Sequence, residues 1–226
     1  MVNWQAVSAI GSLLAVGAAL FIALGGSWAR DKIFGPKVSI EFGHAWPFIV
    51  RTGRVLGGEY VLGLSGESTS RTIDLGPSFW IRIRIRNKGG SVAKQCKVKL
   101  LKVRYERGDK DLEGFDPVLL RWVSPPPGSE RFKPLNILPH ETELCDVLSL
   151  VQAHAPVAEI ECDMEPRGAV TSLDFGEQAD YWLEIVAFGE NFKPARKTLQ
   201  VGGTGRWASG SHLPDLKVRE SARGAE

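Results

Sequence analysis

Between Trp80 and Arg86 apolar and charged residues alternate without a break, Ile81, Ile83 and Ile85 against Arg82, Arg84 and Arg86. Side chains alternate faces along a strand, so this period of two predicts a half-buried β-strand with the isoleucines inward and the arginines outward. Asn87-Lys88-Gly89-Gly90 then interrupts the pattern with residue types that tolerate the positive φ of tight turns. Alternation resumes with Cys96, Val98 and Leu100 against Lys97 and Lys99. Residues 79–105 therefore read as a strand, a glycine turn and a return strand, a hairpin around which the rest is arranged. At Leu100-Leu101 the phase slips by one, and Val103 and Tyr105 take the inward role while Lys102 and Arg104 face out. A one-residue slip in a strand that keeps its buried face predicts a β-bulge there.

Short apolar runs separated by Gly and Pro predict nine strands, near 38–42, 60–64, 79–87, 95–105, 118–123, 143–148, 157–164, 181–188 and 197–201. No stretch after residue 29 carries a sustained helical period, which disfavours an α/β enzyme scaffold and favours one antiparallel β-sandwich. The run IRIRIRNKGGSVAKQCKVKL, residues 81–100, resembles the central hairpin of bacterial CARDB-like and related immunoglobulin-like sandwich domains. In those domains a strand ends in an Asn-x-Gly turn, followed by a small residue and a strand of alternating Val and Lys. The resemblance implies an immunoglobulin-like fold, an adhesion or interaction role and no catalytic residues. It also implies a setting outside the cytoplasm, in tension with the charge pattern that follows.

Residues 1–29 contain no Asp, Glu, Lys or Arg, and from Trp4 to Trp28 they are mostly Ala, Leu, Val, Ile and Gly. About 20 apolar residues cross a bilayer core as a helix. Trp4 and Trp28 stand at the two ends, where aromatic belts form. A secretory signal peptide needs a basic start and a shorter apolar core, and this run has neither. The expected organisation is a transmembrane anchor at 1–29, a juxtamembrane linker at 30–37, the sandwich at 38–201 and a flexible Gly-, Ser- and charge-rich tail at 202–226. Arg30, Lys32 and Lys37, opposed only by Asp31, follow the anchor. The positive-inside rule then places the N-terminus outside and the domain in the cytoplasm. Three cysteines without a CxxC do not form a secreted disulfide framework. Gly11, Ala15 and Ala19 offer a small-residue face for a helix-mediated homodimer, although such residues are common in membrane helices anyway.

The whole chain carries a net charge of only +2, yet residues 79–107 hold ten Lys or Arg and one acidic residue, Glu106. Arg82, Arg84, Arg86, Lys97 and Lys99 are thus candidates for an anion-binding face, with membrane headgroups the natural partner. The competing reading is neutralisation inside the sheet by Glu159, Glu161 and Asp163, which alternate outward on the strand at 157–164. Nucleic acid is disfavoured, because no surface aromatics interleave with the basic residues. His140, Glu141, Glu143, Cys145 and Asp146 form the densest group of chemical side chains. Five residues of strand separate His140 and Cys145 by about 17 Å, too far for a thiol–imidazole pair. With no metal-ligand spacing and no phosphate loop either, the expectation is no catalytic, cofactor-binding or metal residues and no enzyme. Ser124-Pro125-Pro126-Pro127-Gly128 reads as a stiff loop before it reads as a polyproline ligand. Trp80, Trp122 and Trp182 are expected in the core, and Trp46 and Trp207 are open between a contact surface and packing. The expected function is a membrane-anchored, non-catalytic module for protein–protein interaction or scaffolding at the cytoplasmic membrane face. The alternatives are anionic lipid or ligand binding by the basic sheet face, or an envelope adhesion domain if the topology is reversed.

Overall fold

The computed structural model describes residues 12, 15–17, 19–20, 34–62, 68–105, 110–126, 129–162, 170–176, 179–209, 211 and 213–221. The expected anchor at 1–29 and most of the linker at 30–37 lie outside them. Six described positions of that run (Ser12, Ala15, Val16, Gly17, Ala19 and Leu20) are α-helical and exposed. Among the described residues no helix is long and apolar enough to cross a membrane.

In chain order the first strands are β1 (Val38–Glu41), β2 (Ile49–Leu62), β3 (Ser68–Asn87), β4 (Ala93–Tyr105), β5 (Lys110–Asp111), β6 (Val118–Leu119) and β7 (Arg121–Trp122). They are followed by β8 (Leu135–Ile137), β9 (Thr142–Val151), β10 (Val157–Ile160), β11 (Ser172–Asp174), β12 (Asp180–Phe188), β13 (Ala195–Trp207) and β14 (Pro214–Glu220). Two antiparallel sheets result. The first runs β1-β3-β9-β10-β11, with β2 also on β3 and β7 also on β9; the second runs β14-β13-β12-β4-β5, with β6 and β8 also on β4. One core lies between them. Ile81, Ile83, Ile85, Leu148 and Leu150 enter it from the first sheet, and Cys96, Val98, Leu100, Leu183, Ile185, Leu199 and Val201 from the second. The period of two therefore assigned the buried faces correctly, and the chain is an all-β sandwich. The bulge is also where the phase slip put it: β12 pairs Glu184 with Lys102 and then Ile185 with Leu100, leaving Leu101 unmatched.

Three expectations change. First, β3 and β4 do not form a hairpin. β3 pairs with β1, β2 and β9, β4 pairs with β12 and the short strands beside it, and residues 88–92 cross from one sheet to the other. Alternation fixes which face of a strand is buried, and either an adjacent or an opposite strand satisfies it. Second, the tail is not loose from residue 202. β13 continues to Trp207 and β14 pairs with it, Val201 opposite Val218 and Gly203 opposite Leu216. Leu216 and Val218 alternate with Lys217 and Arg219, so a short apolar face is hidden in a charged run. Gly203 sits at φ 141°, and a Cβ there would lie 2.2 Å from the Asp215 carbonyl oxygen, so glycine is what lets β14 approach. Third, of the tryptophans expected inside, only Trp122 is in the core, 1% exposed. Trp80 and Trp182 are half-buried on the outer faces, because each falls on the polar phase of its strand, next to inward Ile81 and Leu183.

Candidate binding surfaces

The inter-sheet crossing is organised by Asn87, which is fully buried. Its Oδ1 accepts hydrogen bonds from the Lys37 amide at 3.2 Å and the Gly89 amide at 3.0 Å. Its Nδ2 donates to the carbonyls of Ser91 at 2.7 Å, Ile137 at 3.1 Å and Leu138 at 3.3 Å. One amide thus ties the chain entry into β1, the crossing and the β8–β9 loop together, saturating donors and acceptors that no sheet ladder reaches. A Cβ at Gly89 would lie 2.1 Å from the Gly35 carbonyl oxygen, so the entering chain runs directly over that glycine. Asn191, in the β12–β13 turn, fastens the same end: its Oδ1 accepts from the Lys94 amide at 2.8 Å and its Nδ2 donates to the Val92 carbonyl at 2.9 Å.

The five basic candidates do not make one face. Arg82, Arg84 and Arg86 lie on the outside of the first sheet, and Lys97 and Lys99 on the outside of the second. The arginines are neutralised in place. Arg82 Nε is 2.6 Å from Asp146, whose carboxylate is 2% exposed, and Arg121 approaches the other Asp146 oxygen at 3.0 Å and Glu161 at 2.9 Å. Trp80 lies under the Arg121 guanidinium, 5.0 Å from ring centre to carbon, which desolvates the ladder further. Glu41 on β1 takes Lys88 at 3.0 Å, with Arg84 and Arg86 at 3.8 and 3.9 Å. Internal neutralisation therefore occurs on this face, but through Glu41 and Asp146, with Glu161 joining from the acidic strand by way of Arg121; Asp163 lies outside the described residues. Burial pushes the Glu161 carboxyl up from its usual range, outweighing the Ser149 hydrogen bond and Arg121. On the second sheet Arg104 reaches Asp111 at 3.1 Å and Glu184 at 3.6 Å, and Arg196 reaches Glu184 at 2.7 Å. Lys99 lies 6.0 Å from the Phe188 ring centre.

The His140–Asp146 group is dispersed by the fold. His140 is exposed in a turn at φ 65°, whereas Cys145 is buried in the core. Burial, with Asp146 adding to it, holds the Cys145 thiol well above its ordinary value, and burial pushes Cys96 up to about 12. Both stay protonated, unlike the thiolate a nucleophile needs. Among the described residues no three His, Cys, Asp or Glu side chains are placed to hold a metal. Trp46 is the large apolar side chain most open to solvent among those described, 81% exposed. Its loop is braced by Phe42 edge-on to Phe48 and His44 at 5.9 and 5.5 Å, and by Arg84 over Phe48 at 4.8 Å. An aromatic held out on a braced loop is suited to contact.

A second unpartnered feature was missed in the sequence. β2 and β3 stay paired from Ile49 opposite Ile81 out to Leu62 opposite Ser68. β9 pairs with β3 only from Ser78 onward. Among the described residues, β3 from Ser68 to Leu75 has β2 as its one strand partner, while Gln152 lies against Gly76, so the two strands form a ribbon extending past the sheet. The β3 half, rich in Ser and Thr, lacks the apolar alternation that marks a half-buried strand, and only the end of the β2 half coincides with an expected strand, the one near 60–64. Comparison of the chain with protein-family models, characterised proteins and solved structures gives no match.

Proposed function

We propose that this chain is a membrane-tethered, non-catalytic immunoglobulin-like module that offers the β2–β3 ribbon to a protein partner at the cytoplasmic membrane face. The immunoglobulin-like class is supported by strand order. With β1, β3, β4, β7, β9, β12 and β13 taken as strands A to G, the neighbours are A-B-E-D in one sheet and C-F-G in the other. It is supported as well by Tyr181 at the start of β12, whose hydroxyl donates to the Asp174 carbonyl at 2.7 Å, the tyrosine-corner bond of such sandwiches. In this frame the crossing from β3 to β4 is the B-to-C connection between sheets, in place of the hairpin expected for residues 81–100.

The ribbon carries the functional reading. A two-stranded ribbon is marginal alone in water, and beyond Gly76 its outer edges offer N–H and C=O groups to an added strand. β3 has 20 residues, Ser68–Asn87, and at about 3.3 Å each its far end stands at most roughly 60 Å from Asn87. The chain enters the sandwich beside Asn87, so a tether formed by residues 1–29 leaves the ribbon pointing away from the bilayer. The test is a photo-cross-linking residue at Ser70 in the ribbon, compared with ones at Trp46 and at Lys217 on β14, in living cells. A discrete adduct from Ser70 and none from Lys217 is expected; adducts from Lys217 or Trp46 with none from the ribbon would overturn the assignment.

A further inference from the structure

The end of the sandwich that receives the chain has the composition of a surface meeting a bilayer. A cleft of about 620 Å³ opens there, lined by Pro36, Lys37 and Val38 of the entry, Ser91 of the crossing, and Asn191, Phe192 and Lys193 of the β12–β13 turn. Lys37 and Lys193 are exposed, as is Lys94 beside them, and none of the three has a carboxylate within ion-pair distance among the described residues. Among the described residues, the acidic side chains at this end are Glu190 and Glu141, both exposed, and Glu41, which is engaged by Lys88. Two large apolar side chains stand out at the same end, Phe34 at 58% and Leu138 at 48% exposure. Asn87 and Asn191 fix the loops that carry these groups, so the cleft is preformed.

We infer that this end docks on the bilayer surface and that the cleft between Lys37 and Lys193 takes the phosphate of an anionic phospholipid headgroup. The inference rests on the reading of residues 1–29 as a membrane anchor. Nine residue steps separate Trp28 from Lys37. A chain that short spans at most about 30 Å, so the cleft cannot leave the neighbourhood of the headgroups. The occupant follows from charge and position: the cytoplasmic leaflet is the anionic one, and the unpaired lysines and exposed Phe34 and Leu138 suit phosphate and the interfacial zone respectively. This site is distinct from the arginine face of the first sheet, where Glu41 and Asp146 already hold the charges.

Amide hydrogen exchange of the full chain in nanodiscs tests it, with discs of phosphatidylcholine alone or of phosphatidylcholine with phosphatidylserine. Residues 88–91 and 190–193 should exchange more slowly in the anionic discs. Each basic residue at an anionic surface is worth about 1 kcal/mol, or about fivefold, so Lys37→Glu with Lys193→Glu should weaken docking by at least about 25-fold and remove the protection. Lys217→Glu with Arg219→Glu, the same charge change on β14, should leave it intact. Equal exchange in both lipids, or equal loss in both double variants, overturns the docking site while leaving the anchor standing. A chain that does not remain with either disc overturns the anchor and the docking site together.

Discussion

Replacing Asn87 by alanine should be among the most damaging single changes on the surface-to-core boundary of this sandwich. The residue is fully buried and its side chain makes five hydrogen bonds to three separate segments. Two of them, to the Gly89 amide and the Ile137 carbonyl, are themselves buried, so alanine strands both groups away from water. Each stranded group costs about 1–3 kcal/mol, giving about 2–6 kcal/mol for the pair, while the part-buried amide of Lys37 and carbonyls of Ser91 and Leu138 can recover water. That is a large share of the ~5–15 kcal/mol that holds a typical domain folded. Urea unfolding of the full chain in detergent, followed by tryptophan fluorescence, reads the difference as a lowered midpoint at unchanged slope. Asn87→Asp separates the two halves of the side chain. It keeps the acceptor toward Lys37 and Gly89, loses the donor and buries a charge. It should be strongly destabilised at neutral pH and recover in acid, where its proton restores a donor. An alanine variant within about 1 kcal/mol of the parent would refute the view that Asn87 holds the crossing together.

Three further outcomes follow from the same geometry. Tyr181→Phe removes the part-buried bond to the Asp174 carbonyl while keeping the ring against Phe175, 5.1 Å between centres, and should cost about 0.5–1.5 kcal/mol in the same assay; no change would leave the corner without an energetic role. Because burial raises the native Glu161 carboxyl above 4.5, the folded state binds its proton more tightly than the unfolded chain, so its contribution is most favourable below that value and declines as pH rises through the native one. The stability of the parent relative to Glu161→Gln should therefore fall with rising pH across that window, and a difference flat in pH would contradict the shift. Cys96 and Cys145 should resist a thiol reagent at about pH 8 until the protein unfolds, leaving Cys162 as the reactive cysteine; rapid loss of all three thiols in native protein would show that the core is not closed.

Much of the fold could be read from local pattern, and its limits are physical. Period-two runs such as Ile81–Arg86 and Cys96–Leu100 identify a buried face, and a phase slip identifies Leu101, because both depend on neighbours in sequence. Strand partners do not. β3 pairs with β9, for example Ile83 opposite Cys145, 62 residues further along the chain, and nothing local to Asn87 states that the next strand belongs to the other sheet. The Asn-Lys-Gly-Gly sequence does mark a reversal, but Asn87 is there for its side-chain amide, and Gly89 for the chain passing over it. The arginine face looked free because Glu41 and Asp146 approach from distant strands. β14 and the ribbon were hidden for opposite reasons: one carries its apolar pair inside a charged run, and the β3 half of the other has no apolar alternation in its sequence.

The most direct test of a cytoplasmic, membrane-held sandwich is accessibility in cells. Ser211, exposed in the β13–β14 turn, can be replaced by cysteine in a chain whose Cys162 is changed to serine, since Cys96 and Cys145 are shielded by the core. A membrane-impermeant thiol reagent should modify Ser211→Cys only after the cells are permeabilised, with the protein recovered in the membrane fraction. Modification in intact cells would place the sandwich outside, contradict the charge-based orientation, and turn the ribbon into an envelope-facing adhesion surface.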